Sequence, residues 1–115
     1  MARILIIDDS RLSTSALTNI LIGIGHQIVA NAFNGEDGLV KAKETNPGVV
    51  CLDFVMPGID GKETALKLRE ILPNVKIVMI TQDKVAPALK SEIKALAYIV
   101  KPITASKIKE AFARV

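Results

Sequence analysis

The hydrophobic positions of this chain alternate between two patterns, short apolar runs and longer stretches with helical spacing. The short runs predict five β-strands, at residues 4–7, 28–33, 49–52, 75–80 and 98–100. The run at 49–52 is apolar without a break, which is typical of a strand covered on both faces, as in a parallel sheet. Such a sheet needs helices on both sides.

Helical spacing follows each predicted strand. The predicted helices cover residues 11–24, 36–45, 61–72, 85–96 and 104–115, and the last continues to the end of the chain. Ser10 and Asp60 are expected N-caps, and Gly25 is an expected helix stop. Five strand–helix repeats predict an α/β fold, a doubly wound parallel sheet with right-handed crossovers.

One stretch, residues 49–61, carries the most information about function. Its apolar run ends in a carboxylate, Asp53, and a turn on Pro57-Gly58 and a helix start at Asp60 follow at once. Asp53 is therefore expected at the carboxyl end of its strand, where open α/β sheets bind ligands. A charge there needs a partner or a metal, because burying it alone is unfavourable.

The size and composition suit one domain, residues 1–115, in which 50% of the residues are hydrophobic. The single cysteine, Cys51, lies in an apolar run, which indicates a buried thiol in a reducing compartment. No apolar stretch approaches the roughly 18–20 residues of a membrane span, and the N-terminus has no signal-peptide pattern. These features predict a cytoplasmic protein that does not engage a membrane.

The charge is unevenly distributed along the chain. Residues 84–115 carry seven basic and two acidic side chains, a net charge of +5, which leaves −2 for residues 1–83. Two interpretations stay open, solvated lysines on helix faces and a basic docking surface for an acidic partner. Direct nucleic-acid binding is not expected, because the chain has one tyrosine, no tryptophan and no recognisable nucleic-acid motif.

Polar side chains close four of the five predicted strands at the same edge of the sheet, and they are Asp8-Asp9, Asp53, Thr81 and Lys101. Three carboxylates and one lysine leave a local charge near −2, which favours a bound cation, and hard oxygen ligands suit Mg²⁺. A carboxylate beside Mg²⁺, a lysine and a hydroxyl can also act as a nucleophile in phosphoryl transfer. Taken alone, the Asp pair and Thr81 are more often helix caps and Lys101-Pro102 is a helix entry, so the prediction depends on their convergence.

These residues together resemble the receiver domain of two-component response regulators, especially the chemotaxis-type single-domain regulators with a flavodoxin-like fold. The resemblance covers the whole chain. The motifs that carry it are Asp8-Asp9, Asp53 with Met56-Pro57-Gly58 and Asp60-Gly61, Thr81, and Lys101-Pro102.

The resemblance implies a phosphorylation-activated switch in a phosphorelay. Asp53 is expected to accept a phosphoryl group from a phosphohistidine of a histidine kinase or phosphotransfer protein. Asp8, Asp9 and Asp53 are expected to hold Mg²⁺ with the backbone carbonyl of Val55, while Lys101 pairs with phosphoryl oxygens. Catalysis is expected to be limited to the domain's own phosphorylation and dephosphorylation, so we do not expect an enzyme with turnover.

The resemblance also implies a route from the site to a partner. Thr81 is expected to bond the phosphoryl group, and Tyr98 to turn inward when Thr81 moves. The surface so changed comprises the fourth helix, fifth strand and fifth helix, here called the 4-5-5 face, and a downstream protein is expected to bind it. The other interpretation of Tyr98 is a half-buried packing residue.

The chain departs from the family pattern at three places. Gln82 follows Thr81 where a small residue is usual, Ala95-Leu96-Ala97 precedes Tyr98, and Ile103 follows the Lys-Pro pair. None of these changes removes a chemical group from the site. Val55, Gln82 and Asp83 occupy positions that tune the phosphoryl lifetime in the family.

The sequence disfavours two other functions. A Mg²⁺-dependent aspartyl phosphotransferase or phosphatase for a small substrate is disfavoured, because Val55 stands where such enzymes carry a second acid and 115 residues leave no cap. A flavodoxin-like nucleotide binder is disfavoured, because the first strand–helix loop lacks glycines. We expect a stand-alone regulator, with a receiver cut from a longer protein as the alternative.

Overall fold

The computed structural model describes residues 1–56, 58–82 and 87–115. Strands and helices alternate along the chain as β1 (Arg3–Ile7), α1 (Arg11–Gly23), β2 (Gln27–Ala32), α2 (Gly35–Thr45), β3 (Val49–Asp53), α3 (Gly61–Ile71), β4 (Lys76–Thr81), α4 (Pro87–Ile93), β5 (Ala97–Val100) and α5 (Ala105–Phe112). The five strands are parallel and lie in the order β2-β1-β3-β4-β5. The predicted doubly wound α/β fold is confirmed.

The sheet separates two apolar clusters, because successive strand side chains point to opposite faces. On one face, Leu5, Ile7 and Leu52 pack with residues of α2, α3 and α4. On the other, Ile4 and Ile6 pack with residues of α1 and α5. Side chains in the central strands are almost wholly excluded from solvent, and this two-sided burial explains their unbroken apolar runs.

Side-chain caps set the starts of α1, α2, α3 and α5. Ser10 and Asp60 each accept a hydrogen bond from the backbone N–H three residues ahead, as predicted, and Asn34 and Thr104 do the same for α2 and α5. The predicted stop at Gly25 has the expected left-handed backbone, with φ +96°, just past the end of α1. Within the described ranges, no helix is long and apolar enough to cross a membrane.

The ends of two helices differ from the prediction by more than one residue. The fourth helix ends at Ile93 instead of residue 96, because Lys94 turns left-handed (φ +55°) and the Leu96 N–H donates to Ile77 O in β4. The predicted start of this helix, Val85, lies outside the described residues. The fifth helix ends at Phe112 instead of continuing to residue 115, and the Val115 N–H closes a turn on Phe112 O.

Close packing at Gly61 predicts a large effect of one added methyl group. A Cβ on Gly61 would lie 2.5 Å from Phe54 Cα and 2.6 Å from Phe54 O. Because these are backbone atoms, we expect Gly61→Ala to lower the free energy of unfolding by about 1–3 kcal/mol in urea denaturation.

Gly23→Ala is the matched control, because a Cβ on this helical glycine meets nothing within 4 Å. It is expected to raise the free energy of unfolding by about 0.5 kcal/mol by restricting the unfolded chain. Equal effects of the two substitutions would contradict the packing argument.

Candidate functional site

The acidic part of the site forms where two central strands end side by side. Ile7 pairs with Leu52 across β1 and β3, so the next residues, Asp8 and Asp53, emerge together at the carboxyl edge of the sheet. Both are buried, with 1% of Asp8 and 4% of Asp53 exposed. Asp9 is exposed, and one carboxylate oxygen from each of the three lies within 4.8 Å of the others. The structure thus brings the three predicted carboxylates together.

The polar residues of β4 and β5 complete the edge. Thr81 is buried and is the last residue of β4. The Lys101 N–H donates to Thr81 O at 2.7 Å, which ties the segment after β5 to the end of β4. The ammonium nitrogen of Lys101 then lies 3.7 Å from Asp53 Oδ2. The ammonium group of Lys101, which follows the outermost strand β5, therefore reaches the carboxylate of Asp53 at the end of the central strand β3.

Burial controls the protonation of both central carboxyl groups. It raises the pKa of Asp8 to about 6, against an opposing hydrogen bond from the Ser10 N–H to Asp8 Oδ1 at 2.8 Å. Burial likewise raises the pKa of Asp53, and the Lys101 ammonium opposes that shift. The hydrogen bonds and the ion pair that these two carboxylates receive from the protein do not fully offset the removal of their charge from water.

The donor set fits a hard divalent cation. All three grouped side chains offer carboxylate oxygens, and Asp8 Oδ2 is buried with no hydrogen-bond partner among the described residues. A cation would supply the missing partner and offset the repulsion among the three groups. Oxygen ligands of this kind suit Mg²⁺.

The remaining predicted site residues lie around this edge. The Val55 N–H donates to Asp53 Oδ1 at 3.3 Å, while the Val55 side chain is 64% exposed. Gln82 is exposed as well. Asp83, like Pro57 of the predicted turn, lies outside the described residues.

Tyr98 is half-buried against α4, away from the carboxylates. Its hydroxyl lies 3.5 Å from Lys90 O, and the Lys90 ammonium lies 5.2 Å from the ring centroid. A groove of about 480 Å³ opens beside it between α4, β5 and α5. Three basic side chains line this groove, Lys90, Lys107 and Arg114, with one acidic side chain, Glu110. The C-terminal excess of positive charge therefore contributes to the 4-5-5 face.

One contact near the site was missed by sequence analysis. Glu36 Oε1 in the first turn of α2 accepts the Ile59 N–H at 2.8 Å, which ties α2 to the loop between Asp53 and α3. Gly58, with φ +79°, leaves room for this carboxylate, because a Cβ there would lie 2.7 Å from Glu36 Oε1. The only signal was an acidic residue in a helix first turn, which predicts a favourable helix charge and no particular partner.

The raised pKa of Asp8 predicts a pH dependence of stability without metal. The carboxyl ionises near 3.8 when unfolded and near 6 when folded. Its contribution to stability is therefore fully present below pH 3.8 and is lost as the pH rises through 6. We expect the free energy of unfolding to fall by about 1–3 kcal/mol across this window because of Asp8.

Urea denaturation at a series of pH values without Mg²⁺ measures this effect. Asp8→Asn should be the more stable protein near neutral pH and should lose this part of the slope. An identical slope in both proteins would show that Asp8 is not the group responsible.

Comparison with known proteins agrees with this geometry. The chain matches the model of the response regulator receiver domain over residues 4–113. It is 38% identical to the response regulator GacA of Pseudomonas protegens over 104 residues, covering 88% of this chain and 49% of GacA. It is 32% identical to the chemotaxis protein CheY of Thermotoga maritima over 117 residues, covering 98% of this chain and 96% of CheY. The chain thus spans about half the length of GacA and nearly all of CheY.

Solved structures give the same result. A chain in the crystal structure of the CheX–CheY–BeF₃–Mg²⁺ complex from Borrelia burgdorferi superposes with a TM-score of 0.89 at 29% identity, covering 97% of this chain and 87% of that chain. Chemotaxis protein CheY4 of Vibrio cholerae superposes with a TM-score of 0.88 at 26% identity, covering 100% of this chain and 98% of CheY4. From its sequence match and its fold, the chain belongs to the receiver domain family of two-component response regulators.

Proposed function

We propose that residues 1–115 form a phosphorylation-activated switch in which Asp53 accepts the phosphoryl group. One observation carries this proposal: Asp53 is buried beside Asp8 and Asp9, and its carboxylate lies 3.7 Å from the Lys101 ammonium. This arrangement supplies a nucleophile, a hard-cation site and a fixed positive charge at one place. The donor is a histidine kinase or phosphotransfer protein.

In the proposed reaction, a carboxylate oxygen of Asp53 attacks the phosphorus of the donor phosphohistidine. The new O–P bond forms as the N–P bond breaks. The electron pair of the N–P bond returns to the imidazole nitrogen of the donor. Lys101 pairs with the transferred oxygens, and the Thr81 hydroxyl donates a hydrogen bond to one of them. Asp8, Asp9 and Asp53, with the Val55 carbonyl, would hold Mg²⁺, and the bound cation would offset negative charge on the phosphoryl group.

The proposed output is a change of the 4-5-5 face. Phosphorylation biases an existing equilibrium between two conformations, because Thr81 and Lys101 interact differently with a free and a phosphorylated Asp53. Tyr98 transmits the change, since its hydroxyl contacts α4 while its strand leads directly to Lys101. A downstream protein then binds the groove beside Tyr98. The three basic residues that line the groove favour a partner with an acidic surface.

The chemistry that we assign to this domain is its own phosphorylation and dephosphorylation. Val55 and Gln82 are exposed beside the site. This exposure supports a role for their side chains in controlling the access of water to the phosphoryl group. We assign Asp83 to the same role from its position in the sequence. We place the domain in the cytoplasm, acting through proteins, without a membrane or a direct nucleic-acid contact.

Phosphorylation by a small donor tests the acceptor. With acetyl phosphate and Mg²⁺, intact mass spectrometry should detect one added phosphoryl group per chain. Asp53→Asn and a chelator should each abolish it, because they remove the nucleophile or the cation.

Asp37→Asn is the matched control, because it changes a surface carboxylate that pairs with Lys41. It should be modified like the wild type. Modification of Asp53→Asn would move the acceptor elsewhere, and absence of any modification would contradict phosphorylation from small donors. Sustained turnover of an added phosphate ester would favour the aspartyl phosphatase instead.

Intrinsic fluorescence tests the switch, because Tyr98 is the single tyrosine in a chain without tryptophan. Beryllofluoride with Mg²⁺, used as a phosphoryl mimic, should change the tyrosine emission of the wild type. Thr81→Ala should lose most of this change while still binding the mimic. A full change in Thr81→Ala would contradict the coupling of Thr81 to Tyr98.

A further inference from the structure

Among the described residues, the contacts that hold α4, the helix at the centre of the 4-5-5 face, are concentrated at its carboxyl end. Ile93, the last residue of α4, is fully buried in the core, whereas Ala88, Lys90 and Glu92 are exposed. Leu89 is only partly buried. Within the described part of α4, apolar anchoring therefore increases toward Ile93.

Arg69 of α3 adds a polar anchor at the same end. Its guanidinium donates to Lys94 O at 2.7 Å and to Ile93 O at 3.5 Å, and it also donates to Val75 O just before β4. Carbonyl groups at a helix carboxyl end lack partners within the helix, and a cation there is favourable. Arg69 therefore joins the end of α4 to the start of β4.

The other described contacts of α4 are weaker or lie at the same end. The Leu96 N–H donates to Ile77 O at 2.8 Å, which holds the segment after α4 on the sheet. The Lys62–Glu92 ion pair between α3 and α4 has a separation of 3.3 Å, but both side chains are more than two-fifths exposed. Exposed pairs of this kind contribute little to stability.

Tyr98 contacts the middle of the helix. Its hydroxyl and ring meet the carbonyl and the ammonium of Lys90, one turn before the Arg69 anchor. Rotation of Tyr98 would therefore release the Lys90 region while the Ile93–Lys94 end stays bonded to Arg69.

We propose that Arg69 is a positioning residue of the switch, which fixes the carboxyl end of α4 so that phosphorylation moves the helix about this end. The surface offered to a partner then changes most around residues 88–90. This inference rests on the proposed phosphorylation of Asp53, although Arg69 takes no part in that chemistry.

Backbone amide NMR of the wild-type protein tests the inference directly. After addition of beryllofluoride and Mg²⁺, the amide shifts of Ala88, Leu89 and Lys90 should change at least about threefold more than those of Ile93 and Lys94. Equal changes at both ends would overturn the anchor while leaving the switch intact. No change near Asp53 or along α4 would instead overturn the proposed function, and the anchor with it.

Variants separate positioning from simple stabilisation. Arg69→Gln should raise the beryllofluoride-induced shifts of Ile93 and Lys94 to the size of those at Ala88–Lys90, while the mimic still binds. Arg69→Lys should give an intermediate pattern, because an ammonium retains the charge but cannot reproduce the forked contacts.

Lys67→Gln is the matched control, because Lys67 is a cation of the same helix that pairs with Glu63 at 3.4 Å on the surface. It should keep the wild-type pattern. An Arg69 variant with a lower melting temperature but an unchanged pattern along α4 would overturn the proposal. If Arg69→Gln does not fold, Arg69→Lys and the wild-type comparison still decide the question.

Discussion

The burial of two neighbouring carboxylates where β1 and β3 end is the constraint on which this structure depends. Asp8 and Asp53 are almost fully removed from water, and burial raises the pKa of both. Removing a charge from water is unfavourable by several kcal/mol unless partners compensate. The described partners, two backbone N–H groups and the Lys101 ammonium, leave Asp8 Oδ2 without a hydrogen bond. A bound cation would supply that missing partner and offset the negative charge of the site.

The apolar core on both faces of the sheet offsets the unfavourable burial of these two charges. The residues just before the two carboxylates, Ile7 and Leu52, are completely excluded from solvent. Each fully buried side chain of this size contributes roughly 1.5–3 kcal/mol relative to exposure. The strand ends hold Asp53 and Thr81 in fixed positions. This suits a site whose side chains need to be in place before the ligand binds.

The site of the proposed chemistry and the proposed partner surface lie in different parts of the molecule, and β4 and β5 connect them. Lys101 is bonded to the end of β4 through Thr81 O, and Tyr98 lies three residues before it on the strand that borders the groove. In the proposed switch, a small displacement at the carboxyl edge would be transmitted along β5 to α4. The Arg69 contacts would hold one end of α4 in place during that movement.

The sequence determined the sheet, its helices and the four polar positions that meet at one edge. Strand burial on both faces produces unbroken apolar runs, and capping side chains such as Ser10 and Asp60 act within a few residues of their partners, so both leave local patterns. Parallel strand ends place Asp8, Asp53, Thr81 and Lys101 at one edge of the sheet. The strand order β2-β1-β3-β4-β5 then makes their strands neighbours.

Only the tertiary structure decided how long the last two helices run and which side chains join separate elements. The fourth helix ends early because the Leu96 N–H donates to Ile77 O. Glu36 and Arg69 bind backbone groups more than 20 residues away along the chain. Every residue except proline offers a backbone N–H, and every residue offers a carbonyl, so no pattern of residue types identifies such a partner. These contacts exist because folding places a particular N–H or carbonyl group within reach, and that placement depends on the packing of the whole chain.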